Sequence, residues 1–141
     1  MSSAWELADI EKKGLKIIDA KHALAADTVT LSLPLPPSVN MAWKNVPGIG
    51  RVRSQEYRRW HKLAMDELAL QKPGHIAGKF LAVINLGRIR RRADCDNRTK
   101  PVLDLLAGIV TDDDAYCERV STGWVDDVPA ERVVVIVRRV A

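Results

Sequence analysis

Apolar positions along the chain recur with two different periods, and the switches between them mark out its elements. Residues 28–33 place Val29, Leu31 and Leu33 between hydroxyl side chains, the period of a half-buried strand, and Pro34, Pro36 and Pro37 end it. Ser38 to Arg53 is rich in Gly, Pro and Asn and reads as a long hairpin-like loop. Ser54 then opens a segment in which Tyr57, Trp60, Ala64 and Leu68 recur every three or four residues, while Arg58, Arg59 and Lys62 fall elsewhere. That stripe predicts an amphipathic helix, closed by Lys72-Pro73-Gly74. Residues 80–86 form a compact apolar run of buried-strand length. Asn97 is the expected N-cap of a second helix with Pro101 in its first turn, Leu103, Leu106 and Val110 on one face, and Gly108 at its end. Residues 120–125 and 133–137 complete the strands, and the unbroken Val/Ile run of the last predicts a central place in the sheet.

At the N-terminus, Ser3-Ala4-Trp5-Glu6 fits a capping box and predicts a short helix that offers Trp5, Leu7 and Ile10 for packing and stops at Gly14. The pattern predicts an α+β fold: a mixed sheet of about five strands with two main helices over residues 28–141. Residues 1–27 form an extension bearing the short helix.

Composition adds a mild bias. Lys and Arg number 22 against 18 Asp and Glu in 141 residues, a net charge of +4 on a chain long enough for one core. No stretch approaches the roughly 20 apolar residues that span a bilayer, and the first residues lack a signal peptide's layout. The expectation is a cytoplasmic protein without membrane contact. Cys95 and Cys117 lack the spacing of a zinc site and are too few for a disulfide framework, so both are expected as thiols. Placement of charge changes the picture more than its total. Arg88, Arg90, Arg91, Arg92, Arg98 and Lys100 crowd one segment, Arg51, Arg53, Arg58, Arg59 and Lys62 another, and Asp112, Asp113 and Asp114 form an acidic knot.

Asp94 and Asp96 stand at alternating positions directly after a predicted strand, so in an extended backbone both carboxylates project to one side. Such a pair repels and invites a cation; magnesium prefers oxygen ligands and a substrate phosphate. A helix over residues 98–108 spans roughly 16 Å, and a following strand that returns antiparallel brings the 112–114 acids back toward Asp94. Cations for phosphate beside carboxylates for metal point to a phosphodiester substrate. The competing possibility is a non-catalytic DNA-binding module whose acids brace its arginines. Cys95 is expected to be a packed thiol, because thiolates suit softer ions. His22, His61 and His75 have no metal spacing. Trp43 and Tyr57 offer faces for unpaired bases, with core packing the simpler role for Tyr57.

Two blocks of residues carry a family likeness. The first is Leu33-Pro34-Leu35-Pro36-Pro37-Ser38-Val39-Asn40, followed by the Gly and Arg loop and the helix start from Ser54 to Trp60. The second is Asp94-Cys95-Asp96-Asn97-Arg98-Thr99-Lys100 with Asp104 and Leu106, then a Gly and the later acids. In these the chain resembles the RusA family of Holliday-junction resolvases, from about residue 28 to the C-terminus. The resemblance implies magnesium, or manganese, held by Asp94, Asp96 and one later acid, with Lys100 assisting cleavage. Counting five residues from Gly108 selects Asp113. The chain departs from the family's acidic pair by having three acids, which leaves Asp112 and Asp114 open as the ligand. The resemblance further implies a homodimer acting on branched DNA by paired phosphodiester hydrolysis. By their charge, Arg90, Arg91, Arg92, Arg98, Arg51 and Arg53 are expected to grip backbone phosphates. Ala93 separates the arginines from Asp94, and Pro101 follows Lys100 directly.

Overall fold

The computed structural model describes residues 25–89 and 95–141, so the capping box and helix expected before Gly14 lie outside the described residues. Among the described residues, six strands and three helices follow in the order β1 (Thr28–Pro34), α1 (Val39–Ala42), β2 (Trp43–Val46), β3 (Gly50–Arg53), α2 (Gln55–Gln71), β4 (Phe80–Gly87), α3 (Thr99–Leu106), β5 (Cys117–Val125) and β6 (Arg132–Arg139). Short 3-10 turns at Asp96–Arg98 and Asp114–Tyr116 precede α3 and β5. The main sheet has four strands in the order β1-β6-β4-β5, and β2 pairs with β3 as a separate hairpin. This is the expected α+β fold with two main helices, with the Gly-rich 38–53 segment pairing with itself instead of joining the main sheet.

Strand β6 explains its own composition. Val133, Val135 and Val137 are fully buried on one face, and Val134 and Ile136 are half-buried on the other, as expected between two neighbours. It runs antiparallel to both β1 and β4. The return strand β5, however, is parallel to β4, with Ala82 opposite Val120 and Leu86 opposite Trp124. The antiparallel return expected from the sequence is therefore corrected. Parallel neighbours require a crossover of a dozen or more residues, usually helical, and the segment carrying α3 supplies it.

The buried face of the sheet is covered by α2 and α3. Tyr57, Trp60, Ala64 and Leu68 all face the core, as their spacing predicts. On α3 the buried stripe is Val102, Leu105 and Leu106 with Pro101, while Leu103 is only partly buried and Val110 lies beyond the helix end. Nor is Asn97 the N-cap: it sits inside the 3-10 turn, and Arg98 occupies the cap. The turn begins two residues earlier than expected because Arg98 N–H already bonds the Cys95 carbonyl at 3.2 Å. Gly108, with φ +84°, reverses the chain after α3 in a left-handed conformation that suits glycine.

Two side-chain devices fix α2 on the sheet. Gln71 gives its amide to the edge of β1, accepting from Ser32 N–H at 2.8 Å and donating to the Ser32 carbonyl at 2.7 Å. Glu67 receives a bidentate pair from Arg132 on β6, at 2.7 and 3.2 Å. At the helix start, Ser54 Oγ accepts from Tyr57 N–H and donates to the Met41 carbonyl, so α1 and α2 share one cap.

Candidate active site

The residues of the two motif blocks meet around the turn that leads into α3. Cys95 lies 3.5 Å from the Thr122 carbonyl through its thiol, and Thr99 Oγ1 is 2.7 Å from Thr122 Oγ1, so the turn is fastened to the middle of β5. From the other side, the Arg98 guanidinium donates to the Pro36 carbonyl and lies 6.0 Å from the Trp124 ring. Trp60 Nε1 donates to the Pro34 carbonyl at 2.9 Å. The proline-rich block is thus held between the core helix α2 and the turn bearing Asp96.

Lys100 stands in the first turn of α3 with its ammonium between two acids, 2.9 Å from Asp104 Oδ1 and 2.5 Å from Asp114 Oδ2. Pro101 does not disturb it, because backbone donors in a first helical turn have no partners to lose. Hydrogen bonds to Asp114 and then Asp104 raise the Lys100 pKa. Lys100 is therefore an ammonium at any physiological pH and cannot serve as a base. The same bond from Lys100, and then one with Asp113, lowers the pKa of Asp114.

The three consecutive acids separate by partner. Asp112 turns away to His75 Nε2 at 2.6 Å and to Gly78 N–H at 2.9 Å. His75 completes that clasp through Nδ1, 2.8 Å from the Ile109 carbonyl. Asp113 is exposed and caps the turn before β5 by accepting from Ala115 N–H at 3.0 Å. Asp114 alone of the three reaches Lys100. Asp113's capping role had a signal in the sequence, since an Asp just before a short turn is good N-cap chemistry. Counting from Gly108 could not weigh it.

Asp94, Arg90, Arg91 and Arg92 lie outside the described residues, and Asp96 is placed by its backbone in the 3-10 turn. Arg98 was expected to grip phosphate. It is buried, 8% exposed, and its contacts suit bracing the turn against Pro36. Arg51 and Arg53 are exposed on β3, stacked on aromatic rings: Arg51 is 5.1 Å from the Trp43 centroid and Arg53 is 5.1 Å from that of Tyr57. Tyr57 is core, 2% exposed, and half-buried Trp43 packs 6.0 Å from it. His61 stacks on Tyr57, and burial, followed by the Arg53 charge, lowers its pKa and keeps it neutral. Arg88 pairs with Asp126 at 3.0 Å. Burial, more than the nearby Asp114 and Glu118 charges, raises the Cys117 pKa and keeps the thiol protonated.

The Asp112 clasp has a pH signature. The Gly78 N–H and then His75 hold its carboxyl below the usual range near about pH 4. A depressed folded-state value contributes stability that is present above the unfolded value and lost as pH falls through the folded one. Melting temperature should therefore drop more steeply below about pH 4 in the native protein than in Asp112→Asn. Parallel curves for the two proteins would remove Asp112 from the acid response.

Among the described residues no helix is long and apolar enough to cross a membrane. The family model described as Endodeoxyribonuclease RusA matches residues 34–138, most of the chain. The family comprises Holliday-junction-resolving endonucleases, hydrolases that act on branched DNA and generally depend on a divalent metal. Comparison with curated proteins finds no match. With the second motif block and all but Leu33 of the first inside the matched span, and the two blocks joined by the Arg98 contact to Pro36, the chain belongs to the RusA endodeoxyribonuclease family.

Proposed function

We propose that the protein resolves four-way DNA junctions by magnesium- or manganese-dependent phosphodiester hydrolysis, with Asp94, Asp96 and Asp114 as metal ligands and Lys100 as the catalytic cation. The observation that carries this is the Lys100–Asp114 contact, which joins the second motif's lysine to one particular later acid. It favours Asp114 over Asp113 as the third ligand.

The described part of the site fits a hard divalent ion. Asp104 and Asp114 converge on a single ammonium, and Asp113 lies against Asp114, which leaves their negative charge in excess. The nearby Cys117 is a protonated thiol, so the donors on offer are oxygens. Among the described residues no three such side chains surround a common point. The remaining ligands of the proposal are Asp94, outside the described residues, and Asp96.

When bound, the ion supplies a more acidic water and neutralises phosphate charge. The chain's own groups supply the rest. Lys100, fixed by Asp104 one turn further along α3, places a permanent positive charge where negative charge builds on the phosphate and leaving oxygen. Arg51 and Arg53, with Arg90, Arg91 and Arg92, hold backbone phosphates without reading sequence. A homodimer places two such sites about a two-fold axis, as paired nicks require.

The deciding experiment offers a synthetic four-way junction and a linear duplex, each with magnesium or with EDTA. Nicking of the junction alone, and only with magnesium, is expected. Tight junction binding without nicking at any magnesium concentration would favour the non-catalytic module instead.

A further inference from the structure

The tip of the β2–β3 hairpin carries a side chain that the fold does not use. Gly48 and Gly50, with φ of +78° and +100°, adopt the left-handed backbone that the turn between the strands needs. Between them stands Ile49, 73% exposed, the most exposed of the large apolar residues among those described. Turns favour Gly, Asn, Asp, Pro or Ser for backbone reasons, and isoleucine offers none of these. Its exposure leaves it no packing role either.

The surroundings of Ile49 are cationic. Lys44, Arg51 and Arg53 lie on the hairpin, and residues 38–53 contain no acid. None of the three cations has a carboxylate partner among the described residues. Stacking on Trp43 and Tyr57 holds the planar forks of Arg51 and Arg53 in place while leaving their N–H edges for phosphate. The root of the hairpin adjoins the candidate active site, because Tyr57, which carries Arg53, lies within electrostatic reach of Asp104 and Lys100. Four residues per strand carry the tip roughly 13 Å beyond that root.

We infer that the β2–β3 hairpin is a branch-point wedge: Ile49 enters between bases where strands exchange, while Arg51 and Arg53 hold the flanking phosphates. Apolar side chains of this kind unstack base steps in other DNA-bending proteins. Unstacking costs least where pairing is already interrupted. Insertion at a branch point is therefore easier than within a continuous duplex, and the wedge selects junctions over linear DNA. The inference rests on the nuclease assignment above and names the element that makes it structure-selective.

The test uses the full chain in EDTA, so that binding is read without cleavage, on a four-way junction carrying 2-aminopurine at the branch point. The native protein should raise the fluorescence as the base unstacks. Ile49→Ser should remove most of that rise and reduce the preference for junction over linear duplex by about tenfold, whereas Ile49→Met, which keeps an apolar wedge, should restore both. A full fluorescence rise with Ile49→Ser, or no rise with the native protein bound, overturns the wedge. So does a change of oligomeric state in Ile49→Ser, measured by sedimentation, which would assign the tip to a contact with a second copy. Failure of the nuclease assignment is read separately, as absence of junction nicking by the native protein with magnesium.

Discussion

Replacing Lys100 by methionine is expected to slow single-turnover junction cleavage by about 10²- to 10³-fold, the usual loss when one preorganised electrostatic group is removed. The fold should survive, since the Lys100 side chain is 60% exposed and methionine keeps most of the stem. Lys100→Arg should rescue poorly, because the ammonium is a point charge seated between two carboxylates and a planar fork does not fill that place. The companion test ranks the acids. Asp114→Asn should lose cleavage at least as severely as Lys100→Met, and Asp113→Asn should lose less, since Asp113 is exposed and spends an oxygen on Ala115 N–H. A greater loss at Asp113 would return the ligand to the position that counting from Gly108 selects. A Lys100→Met enzyme within threefold of the native rate would remove Lys100 from the chemistry.

The largest stability effect should come from Trp60. Truncation to alanine removes a ring that is 6% exposed, packs edge-on against Tyr57 at 5.8 Å, and bonds the Pro34 carbonyl. Aromatic-to-alanine changes in cores lose about 3–5 kcal/mol. Trp60→Phe should retain most of the packing and lose about 1 kcal/mol with the hydrogen bond. Denaturant midpoints with an unchanged slope would measure both. Cleavage by Trp60→Phe should also fall, because Pro34 anchors the segment whose Pro36 carbonyl receives Arg98 and steadies the turn before Lys100. If Trp60→Ala loses under 1 kcal/mol, the proline block is not anchored through this ring.

The α2 stripe and the β6 run could be read directly, because each is a periodic pattern satisfied by one buried face or by burial on both. The wrong rotation of α3 has a local cause. Its eight residues give a short stripe, and the preceding 3-10 turn, absent from a pattern of period 3.6, shifts which side chains meet the sheet. The direction of β5 was not legible for a different reason: chain length permits either a return or a crossover, and packing of α3 on the sheet chooses.

What the sequence by itself determined is the set of chemical parts: the alternating strands, the helix stripe, the proline block, and the Asp94 to Lys100 and Asp112 to Asp114 motifs. These follow from spacing, which residues close along the chain share. Tertiary structure alone decided how three adjacent acids divide their work, sending Asp112 to His75, Asp113 to a turn and Asp114 to Lys100. It also turned Arg98 inward to Pro36 while leaving Arg51 and Arg53 on the surface. The physical reason is common to both: a charged side chain takes its role from the partner that folding brings within reach, and for Asp112, Asp114 and Arg98 those partners lie 14 to 62 residues away along the chain, whereas Asp113, Arg51 and Arg53 find theirs locally.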